Sequence, residues 1–487
     1  MSVILKHMIP RNLKYDNSKE SAFARSYTSH VRPNQSGPFT DGSTINLTIP
    51  CINNTVLAGT ESVLKFDLTV TNGAAANAFV RLGQAGAHGV IRRLRLWHGS
   101  NLIEDLDEYS VLVSKLMALQ QSGDASGKAS IMAGVSNEYF SDVYKTVVVA
   151  GTPGDPTNAE LANISTHDKT NKVTKIYAGE RLWDDAANNE FADIAANGDT
   201  LARTYCINLL SIVGSLSQKY IPLFAMSNSG AGLRLELQLQ NSPSKFLNSE
   251  LALDSFSVSN VEYIAQMVEL GDSAMQIIEG HSGEMIRFVV PRFSHYAYNA
   301  TLIDGVETEV SIPIPARFSS LKSLFTIPRS KHAGAITYHA SGSTHFGLTE
   351  YYLRLGSKTV PAKPPRSRTE FFIECLKAIG SVSDMNHEPN IDISAYDVTA
   401  PTANAEEATY IHSSASEPHF IIGADLESYS GASPEDIFQG YNSSTEDIFL
   451  NVKHTQNTGG NVSVHYDTFA MHDAVIICQD GTMLVQY

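Results

Sequence analysis

Charged residues, tryptophan and cysteine are all scarce in this sequence. Of its 487 residues only 18% are charged, and only two are tryptophan. The four cysteines are single and far apart, at Cys51, Cys206, Cys375 and Cys478. Scattered cysteines without a C-x-x-C pair argue against a disulfide framework and against a zinc site. We therefore expect reduced, mostly buried thiols in a chain that is kept in a reducing compartment.

Long apolar runs and an excess of positive charge are also missing. No stretch approaches the ~20 apolar residues of a membrane-spanning helix, and the apolar run within Met1–His7 is too short for a signal peptide. The net charge of −16, from 35 basic and 51 acidic residues, argues against a general DNA- or RNA-coating protein. The apolar fraction of 43% is enough for a sizeable core, and the length predicts two to four domains or two large ones.

The positive charge is concentrated near the start of the chain. Residues 1–40 carry six basic residues against two acidic ones, whereas residues 378–487 carry one basic residue against 16 acidic ones. We predict a basic N-terminal arm over residues 1–40, followed by two larger parts at 41–282 and 283–487. The candidate site residues of the arm are Lys6, Arg11, Lys14, Lys19, Arg25 and Arg32. The alternative is a disordered basic tail without a function.

Strand patterns dominate the rest of the sequence. Leu233–Leu239 alternates so that four leucines share one face of a strand and three polar residues the other. Similar patterns predict strands at Thr44–Ile49, Val63–Val70, Val90–Trp97, Met285–Val290, Thr308–Ile314, Tyr351–Leu355, Phe420–Ile422 and Ala474–Cys478. Strands that are separated by turns, without regular helices between them, favour antiparallel sandwiches over a βαβ fold.

Two helices and two long polar segments interrupt the strands. Glu104–Gln121 and Thr369–Ile379 have the apolar spacing of helices. Four carboxylates lie at the predicted start of the first helix, where the positive end of the helix dipole would stabilise them: Glu104, Asp105, Asp107 and Glu108. The alternative is that they form a site for a divalent cation. Residues 121–202 and 395–447 are rich in Gly, Asn, Asp and Ser and are predicted to be long surface loops. The two halves thus share a layout of strands, a polar excursion and closing strands.

The sequence contains none of the enzyme motifs that carry a recognisable mechanism. It has no G-x-x-x-x-G-K-[ST] loop, no H-E-x-x-H and no G-x-S-x-G. His465 and Asp467 would share a face of a strand, where we expect hydrogen-bonded structural residues at a strand end and not metal ligands. The basic run Arg92–Arg95 could touch nucleic acid, but a sandwich rim or a subunit contact is the better interpretation. We predict no catalytic residue, no metal and no cofactor.

Five segments carry a resemblance to a known family when they are taken in order. Val90–Tyr109 reads as a strand, a Gly-Ser turn and an acidic helix start, and Tyr351–Gly380 as a strand, a proline turn and a helix. The others are Tyr220–Leu223 with Gly232–Leu239, Val258–Leu270, and the closing hairpin Phe469–Tyr487. Together they resemble the double jelly-roll major capsid proteins of tailless icosahedral DNA viruses. That group includes adenovirus hexons and the capsid proteins of membrane-containing phages and virophages.

The resemblance implies an all-β fold of two consecutive eight-stranded antiparallel jelly rolls, with a few short helices and long surface loops. The jelly rolls would occupy residues 41–282 and 283–487. Three chains would form a pseudo-hexameric capsomer, and capsomers would tile an icosahedral shell. The basic arm would face inward, toward a neighbouring capsomer, an internal membrane or the genome. The expected partners are copies of the chain itself and the penton and minor capsid proteins, in a virion assembled from protein made in the host cytoplasm or nucleus.

Other functions remain open from the sequence. A minor capsid or penton protein would usually carry one jelly roll, whereas this chain has room for two. A carbohydrate-binding or carbohydrate-cleaving jelly-roll protein would need an aromatic-lined cleft, and the only tryptophans are Trp97 and Trp183. A secreted lectin would need a signal peptide or disulfides. The principal prediction is a structural virion protein that is not an enzyme and that functions through its interfaces.

Overall fold

A computed structural model describes most of the chain outside the two polar segments. The described residues are 24–73, 80–83, 85–120, 132–134, 144–146, 173–175, 199–217, 219–249, 255–282, 285–330, 342–379, 391, 396, 419–428, 439–455 and 460–487. The predicted loops at 121–202 and 395–447 lie largely outside these residues.

The first half of the described chain forms fourteen strands. They are β1 (Ala24–Val31), β2 (Phe39–Thr40), β3 (Thr44–Ile49), β4 (Thr55–Leu57), β5 (Val63–Asn72), β6 (Val80–Leu82), β7 (Ile91–His98), β8 (Asn101–Leu106), β9 (Tyr144–Thr146), β10 (Val173–Lys175), β11 (Asp199–Ile207), β12 (Leu233–Leu239), β13 (Leu247–Ser249) and β14 (Ser255–Leu270).

The second half adds nine strands, and three α-helices occur among the described residues. The strands are β15 (Met285–Leu302), β16 (Glu307–Ile314), β17 (Leu321–Ser330), β18 (Leu348–Leu355), β19 (Lys358–Val360), β20 (Ile422–Asp425), β21 (Ile448–Thr455), β22 (Val462–Gln479) and β23 (Thr482–Gln486). The helices are α1 (Tyr109–Gln120), α2 (Asp272–Ser282) and α3 (Arg368–Ile379).

Four sheets contain the principal strands. Sheet I has the order β1-β14-β5-β11, with β2 and β4 paired to β14, and sheet II the order β3-β12-β7-β8. Sheet III has the order β15-β22-β17-β20, with β23 paired to β22, and sheet IV the order β16-β21-β18-β19. The pairings within these sheets are antiparallel.

The strand order is the same in both halves. When the eight principal strands of each half are numbered along the chain, one sheet reads 1-8-3-6 and the other reads 2-7-4-5. Two four-stranded sheets that exchange strands in this way form a jelly roll, which is two interleaved Greek keys. The chain is therefore two consecutive jelly rolls, as expected. The shared layout read from the sequence reflects this repeated topology.

Alternating burial explains why these segments form sandwich strands. In β12 all four leucines are buried, whereas Arg234 between them is exposed. The predicted strands at 44–49 and 233–239 match β3 and β12 end to end. The predicted strand Phe420–Ile422 is too early, because β20 begins at Ile422 and shares one residue with the prediction. Phe420 itself lies just before the strand and is fully buried.

One predicted helix is confirmed and the other begins too early. Thr369–Ile379 corresponds to α3, but Glu104 and Asp105 lie in β8 and do not open a helix. Their strand pairs with β7, where Asp105 lies opposite Arg95 and Glu104 opposite Leu96. The helix α1 starts at Tyr109, after Glu108, whose carbonyl accepts the N–H of Leu112. The prediction that all four carboxylates cap one helix is therefore wrong.

The last part of the predicted arm belongs to the first jelly roll. β1 pairs with β14 along its whole length, from Ala24 opposite Leu270 to Val31 opposite Tyr263. Residues 24–40 are therefore part of sheet I or its connections, because strand pairing continues to Phe39 and Thr40. Residues 1–23 lie outside the described residues, and only for them does the arm remain a prediction. Within the part of the chain that the structure describes, no helix is long and apolar enough to cross a membrane.

Helix α3 packs tightly on β20, which gives a direct test of the second jelly roll. A Cβ added at Gly423 would lie 2.5 Å from the Cα of Cys375, a backbone atom that cannot move without the helix. We expect Gly423→Ala to lower the free energy of unfolding by about 1–3 kcal/mol, measured by chemical denaturation. The same change at Gly280, in α2, meets no atom within 4 Å and is expected to be neutral or to stabilise by up to ~1 kcal/mol. Equal effects at the two positions would contradict this packing.

Candidate functional site

The two jelly rolls of the chain meet along a seam. On one side lie β8, the turn before α1 and the 3-10 helix Leu223–Ser229 of the first jelly roll, and on the other side lie β15, β22 and β23 of the second. The N–H of Met483 donates to Nδ1 of His98 over 3.1 Å, and Nδ2 of Asn101 donates to the carbonyl of Met483 over 3.3 Å. The closing hairpin of the chain is thereby bound to the edge strand of sheet II.

Apolar side chains make the seam continuous with the first core. Phe325, Ile327 and Phe469 of sheet III belong to the buried cluster of the first jelly roll, whereas Leu324 and Ala470 belong to that of the second. Successive side chains of a strand point to opposite faces, so sheet III has one face in each core. This explains why five consecutive residues of β22, 466–470, are buried, whereas β3 and β12 of sheet II alternate.

A group of ionisable residues lies within this apolar seam, with Arg329 and Asp467 buried and the others partly buried. We call Glu108, His295, Arg329, His465 and Asp467 the seam cluster. Nε of Arg329 donates to Oδ2 of Asp467 over 2.6 Å, and Nη2 of Arg329 lies 3.0 Å from Oε2 of Glu108 in the first jelly roll. Nε2 of His295 and Nε2 of His465 lie 2.8 Å and 3.1 Å from Oδ1 of Asp467. The side chain of Arg329 is 3% exposed and that of Asp467 is fully buried.

The electrostatics of the seam cluster keep both charges in place. Burial alone would raise the pKa of Asp467, but the charge of Arg329 and the hydrogen bonds to His295 and His465 outweigh burial and hold that pKa far below its ordinary range. Burial likewise tends to lower the pKa of Arg329, whereas Asp467 and Glu108 raise it above the ordinary value. The cluster is therefore an ion pair at neutral pH, with a second carboxylate that comes from the other jelly roll.

Glu108 reaches the cluster from a turn with an unusual backbone. Its φ of 51° lies in the left-handed region, which costs a residue with a side chain roughly 1–2 kcal/mol. The turn joins β8 to α1, and the N–H of Glu108 donates to Oδ1 of Asp107 over 3.0 Å. Strain of this kind persists where the surrounding contacts fix it, and here the contact is the buried Arg329.

A second buried carboxylate, Glu104, lies further along the seam. Its Oε2 accepts hydrogen bonds from Oγ of Ser211 (2.5 Å) and from N of Ile212 (3.2 Å). Burial raises the pKa of Glu104, although the charge of Arg292 in the second jelly roll and these hydrogen bonds oppose the rise. Arg292 is itself 4% exposed and donates to the hydroxyl of Tyr487 over 2.7 Å.

A third polar contact crosses the seam at helix α1. Nζ of Lys115 lies 3.0 Å from Nδ1 of His419, and both residues are buried. Burial, together with the charge of Lys115, lowers the pKa of His419 well below its ordinary value. The neutral ring then offers a lone pair to the ammonium group.

The arginines of β7 are held by neighbouring carboxylates. Arg93 makes two hydrogen bonds to Asp105, of 2.7 and 2.6 Å, and Nη2 of Arg95 is hydrogen-bonded to Oε1 of Glu236. Nε of Arg92 lies 3.6 Å from carboxylate oxygens of the turn before α1, at positions 107 and 108. These pairs link neighbouring strands of sheet II and that turn, and so support the structural interpretation over contact with nucleic acid.

The predicted site residues of the arm fall in different places. The first four, Lys6, Arg11, Lys14 and Lys19, lie outside the described residues. Arg25 is exposed on β1, and Arg32 donates from Nε to Oε1 of Glu262 over 2.9 Å. The hydrogen bond from Arg32 lowers the pKa of Glu262. The structure brings neither of these two arginines to the seam.

The predicted pair in β22 is only partly as expected. His465 and Asp467 do share a face of β22, but they lie within the strand and not at its end. Among the described residues, no group of His, Cys, Asp or Glu side chains is arranged to hold a metal ion. Sequence reasoning missed Arg329 and Arg292, and it assigned Glu104 to a helix cap. The available signal was weak: each is a charged residue within a strand whose neighbours are mostly apolar.

Comparison with known proteins finds similarity to solved structures. No protein-family model and no curated protein matches the sequence. The chain is similar to the capsid of the virus PBCV-1, with 10% identity, 96% of this chain and 98% of that chain covered, and a TM-score of 0.56. It is also similar to the Faustovirus major capsid protein, with 9% identity, 98% and 94% coverage, and a TM-score of 0.54. The mavirus major capsid protein gives 10% identity, 98% and 94% coverage, and a TM-score of 0.53.

This chain has the fold of a double jelly-roll major capsid protein. The likeness extends over nearly the whole length of each chain, so both jelly rolls and their joining are included.

The seam cluster predicts a large cost for removing its buried aspartate. Asp467→Asn leaves the charge of Arg329 buried without its main counter-ion, and we expect the free energy of unfolding to fall by about 3–5 kcal/mol in denaturant titrations. The matched control is Asp447→Asn, because Asp447 pairs with Arg317 at 73% and 63% exposure. That change should cost less than about 1 kcal/mol. A loss at position 467 no larger than that of the control would contradict the role assigned to Asp467.

Glu104 predicts a dependence of stability on pH. Its pKa is higher in the folded chain than the ordinary value of 4.5, so the folded state binds the proton more tightly than the unfolded state does. The resulting stabilisation is present below that value and is lost as the pH rises through the folded pKa. Relative to wild type, Glu104→Gln should therefore gain stability between pH 4 and pH 8, measured by denaturation at both.

The control for this pH dependence is Glu309→Gln, at an exposed position of β16. Its stability should stay within ~0.5 kcal/mol of wild type at both pH values, as is usual for substitutions at the surface. A stability difference between wild type and the Glu104→Gln variant that stays constant with pH would refute the assignment of a raised pKa.

Proposed function

We propose that this chain is a major capsid protein, which builds the shell of an icosahedral virion. The observation that carries the proposal is the repeated strand order, 1-8-3-6 with 2-7-4-5, in two jelly rolls joined through a shared core. Solved chains that are similar over 94% or more of both lengths include major capsid proteins of Faustovirus and mavirus. A minor capsid or penton protein is the weaker candidate, because it would usually carry a single jelly roll.

The seam itself supports self-association. Within one chain, the fifth strand of the first jelly roll, β8, lies against sheet III of the second. The counterparts of these surfaces are β19 of the second jelly roll and sheet I of the first. Lys358 and Thr359 of β19 and Thr28 and His30 of sheet I are exposed. Each jelly roll therefore has an edge strand and a large sheet in corresponding positions. Within one chain β8 contacts sheet III, whereas β19 and sheet I are exposed at the four residues named.

Repeating the contact between copies would produce a ring. Copies that are joined head to tail form a closed ring when the rotation from one copy to the next is a whole fraction of a full turn. With any other rotation they form open filaments. If each jelly roll is rotated by about a sixth of a turn relative to the last, three chains close a ring of six jelly rolls. We propose this homotrimer as the pseudo-hexameric capsomer. Neighbouring capsomers, penton proteins and minor capsid proteins would be its further partners.

The remaining aspects of the proposal concern location and the arm. We propose that the chain resides in the virion, after synthesis in the host cytoplasm or nucleus, and that it is a structural protein and not an enzyme. Residues 41–282 and 283–487 are the proposed domains, with the first extended backwards to Ala24 to include β1. Lys6, Arg11, Lys14 and Lys19 are proposed to make electrostatic contacts inside the shell, with a neighbouring capsomer, an internal membrane or the genome.

The native mass of the purified chain tests the capsomer. One chain has a mass of 52.9 kDa, so a trimer should elute as a single species of about 159 kDa, measured by light scattering during size exclusion. Dilution over the micromolar range distinguishes a stable trimer from a weak association. A species that stays at the mass of one chain at all concentrations would contradict the proposal.

The arm is tested by its removal. Deleting residues 1–23 leaves β1 and sheet I complete, so we expect capsomers of unchanged mass and melting temperature. Particle assembly should fall strongly, because the basic contacts inside the shell are lost. Electron microscopy counts particles from cells that express either chain with the other shell proteins. A matched variant with Lys6, Arg11, Lys14 and Lys19 changed to Ser separates charge from length, and an undiminished particle yield would refute the role.

A further inference from the structure

The contacts across the seam differ in how strongly they depend on position. Phe325, Ile327 and Phe469 lose water when the jelly rolls meet, and this gain depends on area and not on direction. Arg329 imposes a direction, because its guanidinium is buried and lies within 3.0 Å of carboxylates on both jelly rolls. A shift or rotation of a few ångströms would retain much of the apolar contact but would separate Arg329 from Glu108.

The two carboxylates hold Arg329 unequally. Asp467, on the neighbouring strand of the same sheet, accepts hydrogen bonds from it and from two histidines, so the guanidinium is already fixed within the second jelly roll. Glu108 is the partner that comes from the first jelly roll, and it reaches Arg329 from a turn with φ of 51°. The backbone of that turn and the side chain of Arg329 thus define where the first jelly roll can lie.

We infer that the Arg329–Glu108 contact fixes the angle between the two jelly rolls and so determines whether copies of the chain close into a ring. The inference rests on the proposed trimer, which it deepens by naming the residues that set the closing angle. Buried ion pairs contribute little to net stability compared with apolar replacements of similar size, but they penalise every arrangement that separates them. At this seam the penalised arrangements are the other angles between jelly rolls.

Two neighbouring polar contacts support the same arrangement without replacing it. Lys115 with His419, and His98 with the backbone of Met483, also cross the seam. The first involves helix α1 and the second involves Met483 of β23, and neither contact includes Arg329 or Glu108. These contacts should keep the jelly rolls attached when the Arg329–Glu108 contact is removed, so the expected defect is a variable angle and not separation.

The test replaces the charges together so that none is left buried alone. In the full chain, Glu108→Gln, Arg329→Met and Asp467→Asn are combined. We expect a folded protein whose strand circular dichroism is unchanged and whose melting temperature stays close to that of wild type. The fraction that elutes as a closed trimer should fall by about tenfold, with open or mixed-mass species in its place. Arg317→Met, which breaks an exposed ion pair with Asp447, is the matched control and should leave the trimer fraction unchanged.

A second measurement reads the angle itself and does not depend on trimer formation. Nitroxide labels are attached through a non-natural ketone side chain at exposed Thr60 and Ser311, one in each jelly roll, so that the native cysteines and the proposed surfaces between copies stay untouched, and the labelled chain is mixed with excess unlabelled chain so that only distances within one chain are read. Pulsed electron resonance on dilute protein should give one narrow distance in wild type and a distribution at least about twice as broad in the triple variant. Glu108→Gln alone, which keeps the Arg329–Asp467 pair, should broaden it as well and serves if the triple variant does not fold.

The outcomes separate the inference from the proposed function. A narrow, unchanged distance in a folded variant would overturn the inference, whatever the oligomeric state. A closed trimer of normal yield in the triple variant would overturn it too. A wild-type chain that remains a monomer, yet shows the broadening on mutation, would support the role of Arg329 in the angle and would contradict the capsomer.

Discussion

The burial of one arginine between two jelly rolls is the constraint on which the arrangement of this chain depends. Arg329 cannot be hydrated where it lies, so it requires Asp467 beside it on sheet III and Glu108 from the first jelly roll. The apolar face of sheet III needs the same neighbour, because side chains such as Phe325 and Phe469 would otherwise face water. The two requirements are met by one contact surface. The chain therefore forms a single body from two sandwiches, because one apolar cluster continues across the seam.

On the proposed function, the repeated topology would let this internal contact recur between copies of the chain. Both jelly rolls have the same strand order, and each has an edge strand and a large sheet in corresponding positions. One edge and one sheet form the internal seam, and their exposed counterparts carry small or polar side chains such as Thr28 and Thr359. On the proposed function, such a surface would keep the chain soluble until copies assemble, whereas the internal seam is apolar. A shell built from such chains would owe its geometry to the rigid internal seam.

The sequence predicts the sandwiches well, because alternation is a local signal. Leu233–Leu239 shows its buried face directly, and the order of weak segments indicated two jelly rolls. The seam could not be read in the same way. In β22 both faces are buried, so alternation disappears between residues 466 and 470, and the pairing of Arg329 with Glu108 joins positions more than two hundred residues apart. The prediction for Glu104 and Asp105 was wrong for a related reason. Acidic residues before an apolar helix are typical of a helix N-terminus, but here pairing with β7 extends the strand β8 through them.

The most direct test of the account is electron cryo-microscopy of the purified full chain. The account predicts particles of three chains with a hexagonal outline, in which six jelly rolls follow one another around the ring. Within each chain the density should place Arg329 between Asp467 and Glu108, with β8 against sheet III. Particles with a single chain, or with two chains related by a twofold axis through the seam, would contradict it.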